Sequence, residues 1–408
     1  MLLPTSLRGM LAAVWLLSII RISSAGPIHP PWSSTGITKT NTSWVPDDTS
    51  GTDMLARSGL SNLQASMGNM TAHNCTIGRA SRRREWHTLA KFEKLSYIAA
   101  VRCLQSLPSR MSDTVPGART RYDDFVATHM QQTLSIHNNG IFLAWHRYYT
   151  YAYEQALVNE CGYRGTQPYL NWGKLASDPL GAPVFDGSPT SISGNGAYRN
   201  NSGIGLPSPD NVQLLIPPYK GGDCITSGPF KNYQANLGPV RANYPYVEQN
   251  PQADGLGYNP RCLRRDINPF ASASLYDQNT TDLITNSLDL ATFQTTLNGD
   301  PAKQMLGVHA AGHFMIGGDP AADFYASPGD PFFFLHHAQV DRVWWIWQNQ
   351  DLANREQIVS GTITNRNIPP SRDARLDDVI DLGVLAEKKY TLGESMSTVK
   401  GPFCYIYE

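Results

Sequence analysis

"HAAGHFMIGGDPAADFYASPGDPFFFLHHAQVDRVWW" runs from His309 to Trp345 and holds four of the chain's ten histidines. His309 and His313 are four apart, and His336 and His337 are adjacent. Histidines four apart share one face of a helix, which lets a single helix offer two imidazoles to one metal ion. The stretch contains no cysteine and few carboxylates, so an imidazole site is its simplest reading.

Working outward, the segment "THMQQTLSIHNNGIFLAWHRYY" supplies a second set, His129, His137 and His146. Helical spacing runs through "RYDDFVATHMQQT" and "IFLAWHRYYTYAYEQALVNE", with the glycine of "CGYRG" placed to stop the latter. It returns at "AKQMLGVHAAGH" and at "PFFFLHHAQVDRVWWIWQNQ". A further helix is expected over "RREWHTLAKFEKLSYIAAVRCLQSL", with Trp86, Leu89, Phe92, Leu95, Ile98 and Val101 facing the core. Between Gly165 and about Thr281, Pro, Gly, Asn and Ser dominate, which reads as a long loop-rich insertion packed over the helices. The expected fold is mainly α with minor β: a four-helix bundle whose facing side chains build a site inside it.

Two sets of three imidazoles, His129, His137 and His146 with His309, His313 and either His336 or His337, match the needs of two metal ions. Any one histidine taken alone reads as structural, as do His29, His73 and His87. Calcium and magnesium take oxygen ligands, and structural zinc favours cysteine. All-imidazole ligation suits copper or zinc, and only copper brings redox chemistry.

The rest of the chain sets limits. With 408 residues, 41% hydrophobic and 16% charged, it can bury a large core. A formal charge of -1, without long basic runs, gives no footprint for nucleic acid. The first 25 residues read as a secretory signal cleaved after Ala25, because the apolar run from Met10 to Ile20 is too short to span a bilayer. No membrane association is expected after cleavage, and the protein is expected to be secreted. Sequons at Asn41, Asn69, Asn74, Asn200 and Asn279 agree with export. Six cysteines without a C-x-x-C pair point to three disulfides, and the sequence does not choose their pairing. Residues 26–74 read as a poorly ordered arm, leaving 75–408 as the metal-binding domain. The oligomeric state is not legible.

"GIFLAWHRYY" resembles the first copper motif of tyrosinases and catechol oxidases, and "DPFFFLHHAQVDRVWWIWQ" resembles the second. The resemblance runs from about Glu85 to the last residues, including the "CYIY" tyrosines Tyr405 and Tyr407. It is to the short secreted fungal kind, without the C-terminal lid of longer relatives. It implies two copper ions, on His129, His137 and His146 and on His309, His313 and His337, with His336 only a neighbour. It also implies a phenolic substrate oxidised with O2, Phe333 packed against the ligands, and Asp341 accepting a hydrogen bond from an imidazole.

Departures from the family pattern sharpen the expected activity. Ser135 stands where many relatives carry a cysteine joined to the second ligand, so no thioether is expected. Ala310 follows His309 where efficient tyrosinases carry Asn, and Gln304 stands where they have a nearby Glu. The resemblance thus implies that the base for activating a monophenol is lacking. Phe324 falls at the gate position over the copper, and Phe314 adds a second apolar wall. The implied activity is catechol oxidation. The alternatives are a tyrosinase or o-aminophenol oxidase acting on a specialised metabolite, a non-catalytic dicopper oxygen carrier, and a zinc-loaded binding protein.

Overall fold

The computed structural model describes residues 43–68, 75–208 and 210–408. The leader and the sequons at Asn41, Asn69 and Asn74 lie outside them, whereas Asn200 and Asn279 are exposed. Among the described residues no helix is long and apolar enough to cross a membrane. The longer helices are α1 (Ser50–Met67), α2 (Lys91–Leu104), α3 (Arg121–Ile136) and α4 (Phe142–Cys161). They are followed by a short α5 (Pro269–Ser272), then α6 (Asp277–Asn286), α7 (Leu290–Asn298), α8 (Val308–Ile316) and α9 (Phe332–Gln350). Helix α9 is buried on every side from Phe332 to Asn349, and α1, α4, α6 and α8 all pack on it. The architecture is the expected helical core with minor β.

Local chemistry explains the ends of the site helices. Thr120 and Asp123 cap the start of α3 reciprocally, the Thr120 amide donating to the Asp123 carboxylate at 2.8 Å. Helix α4 stops at Gly162, whose φ of 67° lets the chain turn left-handed.

Several sequence expectations need correction. Residues 44–67 are not a loose arm, because α1 docks along α9 with Leu63 buried and Leu55, Leu60 and Met67 packed against the core. Gly59 lets the backbones approach, since a Cβ there would lie 3.0 Å from the Asn349 Cβ. Asp53 pairs with Arg342 at 3.1 Å, and Asn62 donates to the Asn349 carbonyl at 2.9 Å. In α2 the buried face is Tyr97, Ile98, Ala100, Val101 and Leu104, so Phe92 and Leu95 are exposed. Trp86 belongs to a separate 3-10 turn before Ala90. The "AKQML" segment is a 3-10 turn and a short strand, and α8 begins only after Gly307.

The insertion holds short two-stranded pieces, the longest being Ile204–Ser208 against Asn211–Ile216. That hairpin closes a small apolar cluster of its own with Tyr244, Val247 and Ala322. All six cysteines form disulfides: Cys75–Cys404, Cys103–Cys161 and Cys224–Cys262. No free cysteine remains for a thioether. Ser81–Arg83 pairs in parallel with Tyr405–Tyr407 beside the first of these bridges.

Candidate metal centre

Helices α3, α4, α8 and α9 bring imidazoles to one place. His129 lies on α3, His137 immediately follows that helix, and His146 lies on α4; all three are buried with ring nitrogens within 4.8 Å of one another. His309 and His313 stand one turn apart on α8, beside His336 and His337 of α9, and form a second group. The groups adjoin, since the rings of His146 and His337 stack with centroids 4.5 Å apart. Gly312 permits the close approach of α8 to α9, because a Cβ there would fall 2.2 Å from the His336 ring.

Most of these rings are oriented by the main chain. The Nδ1 atoms face carbonyl oxygens: Tyr325 for His129 (2.7 Å), Thr133 for His137 (3.0 Å), Phe142 for His146 (2.9 Å) and Ala321 for His313 (3.3 Å). His309 differs, its Nδ1 meeting the Asn298 Oδ1 at 2.7 Å. A carbonyl can only accept, so each of these rings carries its proton on Nδ1 and leaves the Nε2 lone pair free. The Nε2 atoms of His129, His146 and His309 are buried without a partner, and that of His313 lies 3.2 Å from the Nε2 of His337. Converging, unpartnered lone pairs are what a metal ion satisfies.

Electrostatics agree. Burial pushes the imidazoles towards the neutral form a metal requires, His137 down to about 4 and His313 to about 3. Burial, reinforced by neighbouring imidazoles, holds His129, His146, His309 and His337 well below the ordinary value. With nitrogen donors alone, the donor set fits copper.

The adjacent pair divides in role. The Nδ1 of His336 accepts the Trp172 indole N–H at 3.1 Å, and the ring lies parallel to those of His309 and Phe332. The His337 ring faces the first group and stacks on Phe333 at 4.1 Å. Phe333 also lies 5.4 Å from His129 and 5.8 Å from His313, so one ring braces both groups.

An open cavity of about 380 Å³ leads to the imidazoles of His137, His309 and His313, and Ala310, Phe314 and Phe324 are among its walls. The Phe324 ring lies 4.9 Å from that of His137 and is 43% exposed, so it forms the lip of the cavity.

Two expected residues are placed elsewhere. Gln304 is turned away, its amide donating to the Gln213 and Pro301 carbonyls. Its left-handed φ of 58° directs it outward from the turn. Asp341 does not touch an imidazole. It accepts from Arg147 Nε (2.6 Å), Tyr405 (2.7 Å), Tyr407 (2.5 Å) and Arg83 Nη1 (3.4 Å). Main-chain carbonyls already occupy most of the imidazole Nδ1 atoms, which leaves the carboxylate free to gather these cations and hydroxyls. Asn298, Trp172 and Asn365, whose side-chain amide donates to the His137 carbonyl at 3.0 Å, were missed by sequence reasoning. Asn298 ends a helix not read from the sequence, and no motif marks the other two.

A helical core that presents two adjoining groups of neutral, lone-pair-bearing imidazoles to an open cavity defines a dinuclear metal-binding protein. Residues 119–350 match the family description "Common central domain of tyrosinase". The chain is 39% identical over 328 residues to Tyrosinase P of Aspergillus terreus, covering 80% of this chain and 91% of that protein. It is 45% identical over 316 residues to the tyrosinase-like protein orsC of Emericella nidulans, covering 74% and 81%. It is 38% identical over 348 residues to the N-acetyl-6-hydroxytryptophan oxidase ivoB of that organism, covering 82% and 94%. A polyphenol oxidase variant from Thermothelomyces thermophila superposes with a TM-score of 0.82 at 40% identity, covering 88% of this chain and 98% of that one. The chain belongs to the tyrosinase family, and its cofactor is that family's dicopper centre.

Proposed function

We propose that this is a secreted catechol oxidase, converting o-diphenols to o-quinones while dioxygen is reduced to water. In this reading His129, His137 and His146 hold one copper and His309, His313 and His337 the other. The copper pair, when bound, supplies electron exchange between the phenol and dioxygen. The residues supply position. Main-chain carbonyls and Asn298 fix the imidazoles, Phe333 braces both sets, and Phe314 and Phe324 confine the substrate ring.

One observation carries the choice of catechol over monophenol. Among the described residues Asp323 is the single carboxylate lining the cavity, and its Oδ1 accepts the amides of Tyr325 and Ala326 at 2.7 Å each. With Ala310 after His309 and Gln304 turned outward, neither of those positions offers a carboxylate to deprotonate a monophenol, and Asp323, whose carboxyl burial raises to about 6, has one oxygen held by the two amides. A diphenol, with its more acidic hydroxyl pair, needs that help less. The cavity volume favours a second reading, oxidation of a larger phenol of specialised metabolism, in keeping with the name of the N-acetyl-6-hydroxytryptophan oxidase relative.

The test is a paired assay of copper-loaded protein on 4-methylcatechol and tyramine, following quinone formation and oxygen uptake. Prompt catechol turnover with a long lag or no reaction on tyramine is the expected result. Efficient tyramine hydroxylation would overturn the reading of Ala310 and Gln304. Reversible oxygen binding without turnover of either phenol would favour a carrier.

A further inference from the structure

Two arginines line the cavity. Arg241 is matched by the exposed Asp210. Among the described residues Arg366 enters no ion pair, and its side chain makes no hydrogen bond. Its backbone, by contrast, is held in an unusual state, with φ 50° and ψ 29°. The neighbouring Asn367 and the facing Asn138 are also left-handed, at 57° and 50°. Such a conformation is strained for a residue with a side chain and persists only where surrounding contacts impose it.

Those contacts lead to the metal centre. The Arg366 amide donates to the Asn138 carbonyl at 3.1 Å, and the Asn365 side chain donates to the His137 carbonyl at 3.0 Å. The Gly140 amide donates to the Thr362 carbonyl at 2.9 Å. The root of the arginine is therefore tied to the residue that follows a site imidazole. Cavities of about 300–1,000 Å³ take ligands far larger than a single ring, so this one leaves space for a ring substituent.

The geometry points to Arg366 as a specificity-determining residue that receives a carboxylate borne on a substituent of the phenolic substrate. Its planar guanidinium matches a carboxylate with two parallel hydrogen bonds. The inference rests on the proposed phenol oxidation for the place of the ring, but not on whether the ring carries one hydroxyl or two.

The test uses binding and turnover on the full copper-loaded protein. For binding, 3-phenylpropanoate and its uncharged amide serve as unreactive probes, compared by calorimetry in the parent protein, Arg366→Gln and Arg241→Gln. The parent is expected to prefer the acid by about fivefold, the upper range for a solvent-exposed ion pair. Arg366→Gln should erase that preference, Arg241→Gln should keep it, and added salt should shrink it. For turnover, the ratio of kcat/KM for 3,4-dihydroxyphenylpropanoate to that for 4-methylcatechol should fall by a similar factor in Arg366→Gln and recover partly in Arg366→Lys. An acid preference that survives Arg366→Gln, or the absence of any preference in the parent, overturns the proposal. Preferential acid binding by a parent that oxidises no diphenol would sustain the Arg366 assignment while removing the catechol reading.

Discussion

Replacing Asp341 with Asn keeps the side-chain shape and removes one charge from a fully buried cluster. Its carboxylate takes Arg147 Nε at 2.6 Å, Arg83 Nη1 at 3.4 Å and the hydroxyls of Tyr405 and Tyr407. Arg83 retains Glu154, whose oxygen lies 3.0 Å from its Nε. Arg147 has no second carboxylate, only Gln348 Oε1 at 3.0 Å, the Ser395 and Met396 carbonyls and the face of Trp344. Removing one partner of a buried pair costs about 3–5 kcal/mol. The retained amide oxygen can still accept one of the bonds, so a loss of about 3 kcal/mol is expected for Asp341→Asn, measured as a lowered urea midpoint at pH 7.

The pH dependence adds a second readout. Burial alone would raise the Asp341 carboxyl, but Arg147, Arg83 and the two tyrosine hydroxyls outweigh it and hold the group below its ordinary value. A depressed carboxyl contributes stability above its unfolded pKa of about 3.9 and loses it as pH falls through the folded value. The deficit of Asp341→Asn should therefore be full at neutral pH and shrink as the pH falls below about 4. A deficit under about 1 kcal/mol, well short of the buried-pair cost, would refute the reasoning. Normal stability with reduced copper content would instead place the carboxylate's role at an imidazole.

Asn298→Ala removes the acceptor that orients His309, and loss of such a partner typically weakens metal affinity about 10–100-fold. Copper analysis after dialysis against a graded chelator should show one ion per chain released earlier than in the parent protein. Gly312→Ala drives a methyl into the His336 ring, with an overpacking cost of about 1–3 kcal/mol, visible as a lowered melting temperature. Replacing Cys75 and Cys404 together with Ser opens a bridge spanning 329 residues. That change should destabilise by about 2–5 kcal/mol, and a reducing agent should then lower the variant's melting temperature less than the parent's.

The two groups of imidazoles and the helices that carry most of them were legible because ligand spacing and helical period coincide in sequence, while the choice of His337 over His336 rested on the family resemblance. Phe333 and Phe324 were placed by the family resemblance, through their offset from His337, and not by helical period. What was illegible depends on partners distant in the chain. Asp341 meets Arg83 and Arg147, and nothing in "VDR" distinguishes that cluster from an imidazole partner. Helix α1 was hidden because its packed apolar side chains, Leu55, Leu60, Leu63 and Met67, are set among Ser, Thr, Gly and Asn, and its dock is completed by Gly59, Asp53 and Asn62. Gln304 was misjudged because a left-handed turn residue escapes any argument from helical spacing. Arg366 owes its place to a strap of main-chain bonds that leaves no mark in composition.

Four of the five oriented Nδ1 atoms meet main-chain carbonyls, and one meets the side chain of Asn298. A codon change can replace a side chain but cannot delete a carbonyl, so those four orientations are sheltered from ordinary genetic variation. Codon 298 is the exception. Through it, descent or a designed library can alter one imidazole of the second group while the main-chain supports of the first stay in place.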